Sequence, residues 1–177
     1  APGDTVFINA GAYTPAPSPN SPFLDLTDTS KQGDAGMPIT FRGVLDSQGT
    51  PLTAFNANGT APAGVRIGVS WVSVENVSLT NTNCPGTAPP YGSGVFIDAL
   101  PLVGVSLLNV EVFGTNCSFG APIDWESTAT NCTGCRGVGC RLHDNGPVTG
   151  AGVWVYGTGG LEIRRNVITG NALNGSY

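Results

Sequence analysis

Gly94-Val95-Phe96-Ile97 has three counterparts in this chain: Gly64-Val65-Arg66-Ile67 before it, then Pro122-Ile123-Asp124-Trp125 and Gly152-Val153-Trp154-Val155 after it, at offsets of 30, 28 and 30 residues. A second apolar patch follows each opening. The first runs Trp71-Val72-Ser73-Val74-Glu75-Asn76-Val77-Ser78-Leu79, and later copies lie at Val103 to Val112, Gly137 to Leu142 and Gly160 to Asn171. Each repeat therefore holds about three short strands with period-two alternation, separated by Gly, Asn, Pro and Thr turns. Strand triplets at this period, with no helices between them, predict a β-solenoid in which every coil buries its inward residues against the next. Two less regular openings precede the series, Thr5-Val6-Phe7-Ile8 and Pro38-Ile39-Thr40-Phe41. The prediction is an all-β single domain over residues 1–177 with about six coils. Residues 1–63 form irregular N-terminal coils interrupted by a Pro-rich excursion from Tyr13 to Pro22, and residues 64–177 form the regular ones.

The composition agrees. Gly (26) and Pro (14) interrupt nearly every candidate helix, Lys occurs once, and charged residues are 11% of the 177-residue chain, under half the roughly 25% usual in soluble domains. A chain that is 40% apolar and 8% aromatic has enough to bury, so disorder fits poorly. Seven basic against twelve acidic residues leave no stripe able to neutralise a run of phosphates, which argues against a nucleic-acid partner. The longest strongly apolar stretch, Ala99 to Val110, contains Pro101 and Gly104 and is about half a membrane span.

Several stretches resemble right-handed parallel β-helix proteins of the pectate-lyase-like superfamily. They are Asn166-Val167-Ile168-Thr169-Gly170-Asn171, the cruder Asn76-Val77-Ser78-Leu79 and Asn109-Val110-Glu111-Val112, and the opening Pro2 to Tyr13, which looks like the first coil of secreted members. The resemblance spans nearly the whole chain and is specific for fold rather than function, since the same coil serves lyases, hydrolases, epimerases, adhesins and inert fibres.

Equivalent positions in neighbouring coils are expected about 4.8 Å apart. With Val65, Val95, Ile123 and Val153 pointing inward, alternation makes Ile67, Ile97, Trp125 and Val155 inward as well. Two outward rows result: Arg66, Phe96, Asp124, Trp154 and Gly68, Asp98, Glu126, Tyr156. Asp98, Asp124 and Glu126 are the candidate catalytic carboxylates and the candidate ligands for a hard cation such as Ca2+, because crowded carboxylates raise one another's pKa or recruit oxygen-seeking metal. Trp154, Tyr156 and Arg66 are the candidate substrate contacts, since aromatic rings beside carboxylates suit a sugar surface. For hydrolysis, two carboxyls about 5–10 Å apart suffice. For lyase action on uronates, the resemblance asks for a cation or an Arg (Arg141, Arg164 or Arg165) and a base, for which His143 is the one histidine.

Five cysteines occur, and five Asn-x-Ser/Thr triplets open at Asn58, Asn76, Asn116, Asn131 and Asn174. Both features favour an extracellular or cell-surface setting with glycosylation at those positions. Cys84 and Cys117 follow Asn83 and Asn116 in equivalent contexts and are expected to pair, leaving one thiol over among Cys132, Cys135 and Cys140; a zinc site of these three with His143 is the less favoured use. Asn81 or Asn83, Asn116, Asn145 and Asn171 recur at the turns, where stacked amides bond successive backbones. Only Ala172 to Tyr177 follows the last strand pattern, so an end-to-end contact or a longer solenoid is expected there. Three functional expectations follow: an extracellular assembly module stacking on itself or within a longer solenoid, a polysaccharide lyase or hydrolase, and a noncatalytic carbohydrate-binding module.

Overall fold

The computed structural model describes residues 1–14, 21–83, 92–98, 101–116, 121–126, 132–146, 152–156 and 159–171. In chain order the strands are β1 (Thr5–Phe7), β2 (Gly11–Tyr13), β3 (Leu24–Leu26); β4 (Ile39–Arg42), β5 (Thr53–Asn56), β6 (Ala63–Ile67); β7 (Val72–Glu75), β8 (Val77–Thr80), β9 (Ser93–Ile97); β10 (Ser106–Leu108), β11 (Glu111–Phe113), β12 (Ile123–Trp125); β13 (Arg136–Val138), β14 (Arg141–His143), β15 (Val153–Val155); and β16 (Glu162–Arg164), β17 (Val167–Thr169). Every third strand pairs in parallel, giving a first sheet β1-β4-β7-β10-β13-β16, a second β2-β5-β8-β11-β14-β17 and a third β3-β6-β9-β12-β15. The chain is thus a parallel β-solenoid. Its coils number fewer than six complete ones, because the sixth described triplet has only two strands.

Alternation fixes which residues fill the prism. In the third sheet Val65, Val95 and Ile123 pair in one inward column and Ile67, Ile97 and Trp125 in the next, all at most 3% exposed. Val74 and Leu107 of the first sheet and Leu79, Val112 and Leu142 of the second complete a continuous core. Apolar residues succeed each other along the axis because each strand's neighbours lie about 4.8 Å above and below it.

The two early openings are placed differently from the expectation. Thr5–Phe7 and Ile39–Arg42 belong to the first sheet, and the third sheet begins instead at Leu24–Leu26, which pairs with Leu24↔Val65 and Leu26↔Ile67. Alternation alone identifies a strand but not its sheet, and the Pro-rich excursion hides the spacing that would have told them apart.

Two corners depend on left-handed backbone. Asn76 (φ 59°), Asn109 (φ 51°), Gly139 (φ 68°) and Arg165 (φ 57°) turn the chain from first to second sheet, and Asn109 Nδ2 donates to Asn76 Oδ1 at 3.3 Å. Asn tolerates this conformation better than most side chains. Between third and first sheets, Trp71 (φ 56°) is followed one coil on by Gly104 (φ 67°). The Trp71 ring lies where a Cβ at Gly104 would sit, its Cε3 only 2.1 Å from that point. After the second sheet, Asn145 Nδ2 donates to Asn171 Oδ1 (2.9 Å) and to the carbonyl of Val112 (3.0 Å), and Asn171 Nδ2 donates to the carbonyl of Leu142 (3.0 Å). This is the expected amide ladder, with Asn145 fully enclosed. Asn83 and Asn116 meet in a parallel backbone bridge.

Cys132 and Cys135 form a disulfide with Cα atoms 5.4 Å apart, so their sulfurs are not free for zinc. Among the described residues Cys140 is a free thiol, buried in the core, and burial pushes its pKa up to about 11, which makes it inert. The expected Cys84–Cys117 pair lies outside the described residues, as do the sequon asparagines Asn131 and Asn174.

Candidate functional site

The outward rows of the third sheet run in the anticipated register. Arg66 pairs with Phe96, Phe96 with Asp124 and Asp124 with Trp154, and the amides of Asp98, Glu126 and Tyr156 bond to Ile67, Ile97 and Trp125 of the preceding coil. Asp98, Asp124 and Glu126 therefore occupy one patch beside Trp154 and Tyr156.

Their environments differ. Arg66 Nε donates to both Asp98 carboxylate oxygens, at 2.9 and 3.2 Å, and Gly68 makes room for that carboxylate, since a Cβ there would lie 2.8 Å from Asp98 Oδ2. Arg66 is thereby committed to neutralising Asp98. Asp124 is 1% exposed, flanked by the buried Phe96 and by Trp154. Its Oδ2 reaches Ser93 Oγ only at 3.5 Å, while Oδ1 has no hydrogen-bond partner. Burial first, then the charge of Glu126, raises the Asp124 pKa to about 7 against the weak lowering by Ser93. Burial and the Asp98 charge likewise raise Glu126 above its ordinary value. Trp154 is 38% and Tyr156 62% exposed, so two aromatic residues stand at the surface one coil beyond the carboxylates.

The three carboxylates do not make a calcium cage. Asp98 is turned to Arg66 and Asp124 is buried, whereas a Ca2+ site needs oxygens free to converge. Among the described residues, no group of three His, Cys, Asp or Glu side chains is placed to hold a metal ion.

The other lyase parts lie elsewhere. His143 and Arg141 are on the second sheet, where Glu111 collects them: Ser78 Oγ donates to Glu111 Oε2 (2.7 Å), His143 Nε2 lies 3.2 Å from Oε1 and Arg141 3.5 Å from it. His143 Nδ1 bonds to Asp144 (2.8 Å), and its ring stacks on Phe113. The Asp144 bond, helped by Glu111 and opposed by burial, raises the imidazole pKa above its ordinary 6.5. Arg164 pairs with Glu162 on the first sheet, and Arg165 forms a corner. No histidine and no unpaired arginine of the described residues reaches the acidic patch. The Ser78–Glu111–His143 network was missed from sequence, although the offset of 30 residues between Glu111-Val112-Phe113 and Arg141-Leu142-His143 carries its register.

The described sequons differ in access. Asn58 and Asn116 are exposed. Asn76 is engaged by Asn109, and its sequon hydroxyl, Ser78, is buried against Glu111.

No known protein family, curated protein or solved structure matches the chain.

Proposed function

We propose that this chain is an extracellular β-helix of the pectate-lyase-like kind that binds an uncharged polysaccharide on its third sheet. The observation that carries the reading is the register that sets exposed Trp154 and Tyr156 one coil beyond Glu126 and Asp124. Aromatic faces cover the apolar faces of sugar rings, and the half-buried Glu126 carboxylate accepts from their hydroxyls, with Asp124 packed beneath it. An uncharged glycan is favoured over a uronate because Arg66, the basic group on this face, is already paired with Asp98. Binding is favoured over cleavage because Asp124, the carboxyl with an acid's pKa near neutrality, is too deeply buried to touch a glycosidic oxygen. Sequons at Asn58 and Asn116 suit the extracellular setting.

Isothermal titration against neutral and uronate polysaccharides tests the reading. Trp154→Ala should weaken binding of the preferred neutral glycan about tenfold, ~1.4 kcal/mol, with unchanged circular dichroism. Failure of every neutral polysaccharide to bind, or equal binding by the variant, would sink it.

Assembly is the second reading, favoured by a separate observation. Inward-row residues Val6 at one end of the stack and Val155, Ile163 and Ile168 at the other are 42–48% exposed, and such faces are covered when another coil stacks on them. Sedimentation should show concentration-dependent association that Ile163→Lys abolishes; a wild type that stays monomeric throughout rejects it.

A further inference from the structure

The corner that follows the second sheet carries an open groove of about 410 Å³, whose lining includes Asn58, Asn81, Asn83, Asn116 and the backbone of Gly59 and Gly114. It is set apart from the third-sheet face by its chemistry. Among the described residues no charged side chain lines it, and their exposed surface there is predominantly polar. Among these described residues a phosphate or carboxylate finds no cation and an apolar ligand finds no hydrophobic side chain. What remains abundant is the carboxamide, which offers a donor and an acceptor from one planar group. A hydroxyl is itself both donor and acceptor, so rows of amides match a chain of hydroxyls.

The amides are held in place by the coil. Asn81 Nδ2 donates to Asn56 Oδ1 at 2.9 Å, and Asn83 Nδ2 donates to the carbonyl of Gly59 at 3.1 Å. The backbone bridge between Asn83 and Asn116 puts these two in successive coils about 4.8 Å apart, comparable with the advance of one ring along an extended glycan. Asn58 and Asn116 are exposed at the rim. Preorganised polar groups lose little freedom on binding, which favours affinity.

We propose that this groove is a second glycan-binding site, taking a short segment of a neutral, hydroxyl-rich polysaccharide by its amide groups alone. The inference rests on the reading of the chain as a glycan binder but does not depend on Trp154. Asn58 and Asn116 also open sequons, and a sugar attached at either would occupy the same groove, so the test uses unglycosylated protein from a bacterial host.

The 15N-labelled chain is titrated separately with cellohexaose, xylohexaose and laminarihexaose, following the side-chain amide resonances identified by their loss in Asn83→Ala and Asn116→Ala. Saturable shifts of these resonances with at least one oligosaccharide are expected, with Asn116→Ala weakening that binding at least fivefold and leaving the melting temperature unchanged. Shifts that persist in Trp154→Ala support the groove even where the third-sheet reading fails. Silent amides with all three sugars, or wild-type affinity in both Asn83→Ala and Asn116→Ala, overturn the groove; binding that responds only to Trp154→Ala does so while leaving the third-sheet reading intact.

Discussion

Asp124→Asn is expected to make the protein more stable than wild type at pH 8, by about 2–4 kcal/mol, and to lose that advantage by pH 4. A carboxyl whose pKa rises from 3.8 to about 7 on folding holds its proton more tightly in the native state than in the unfolded one. The stability it permits is complete below about pH 4, declines as pH rises towards 7 and is level above that. At about 1.4 kcal/mol per pH unit of displacement the full decline is about 4 kcal/mol. The amide does not ionise, so its variant is flat over the same interval, although its own unpartnered buried dipole offsets part of the gain. His143 adds a decline of its own, but at higher pH: a base with a raised folded pKa loses its contribution as pH climbs past its ordinary 6.5. Urea denaturation at pH 4, 6 and 8 separates the two, and parallel profiles for wild type and Asp124→Asn would show that Asp124 is not buried as described.

Gly104→Ala should cost about 2–5 kcal/mol and is expected to unfold a marginal protein. Two effects add. The position has φ 67°, where an L side chain costs about 1–2 kcal/mol, and the new Cβ would fall 2.1 Å from a ring carbon of Trp71, an overlap that demands a backbone or ring shift of about 1–3 kcal/mol. Gly49→Ala supplies the comparison, because Gly49 has φ 84° with nothing within 4 Å of its Cβ position and so carries the backbone effect alone. A melting temperature for Gly104→Ala no lower than that of Gly49→Ala would contradict the Trp71 packing.

How much of this was legible beforehand depended on which physical rule each feature obeys. The third-sheet rows were readable because Val65, Val95, Ile123 and Val153 repeat with period-two neighbours, and that parity determines the face of Asp98, Asp124 and Glu126 once the offset is known. The depth of Asp124 was not readable, since an outward position on an isolated strand reads as solvent, whereas in the stack it lies between Phe96 and Trp154 and is 1% exposed. Arg66 was read as a ligand contact, yet the absent side chain at Gly68 lets Asp98 lean over to it. Glu111 went unnoticed because it gathers partners from coils on both sides, Ser78 at 33 residues and His143 at 32, and no local motif marks such a hub. The disulfide between Cys132 and Cys135 was equally hidden, as three closely spaced cysteines fit more than one pairing.

The uniform spacing of strand partners bears on how the chain reaches its native state. Ladder contacts in the regular coils join residues about 30 apart, whichever coil they occupy. The loop that must close before each new coil earns its contacts is therefore set by the circumference of the prism and not by the length of the chain. Folding of such a stack proceeds by repeated closures of similar entropy, so appending coils would lengthen the molecule without raising the barrier to any single step.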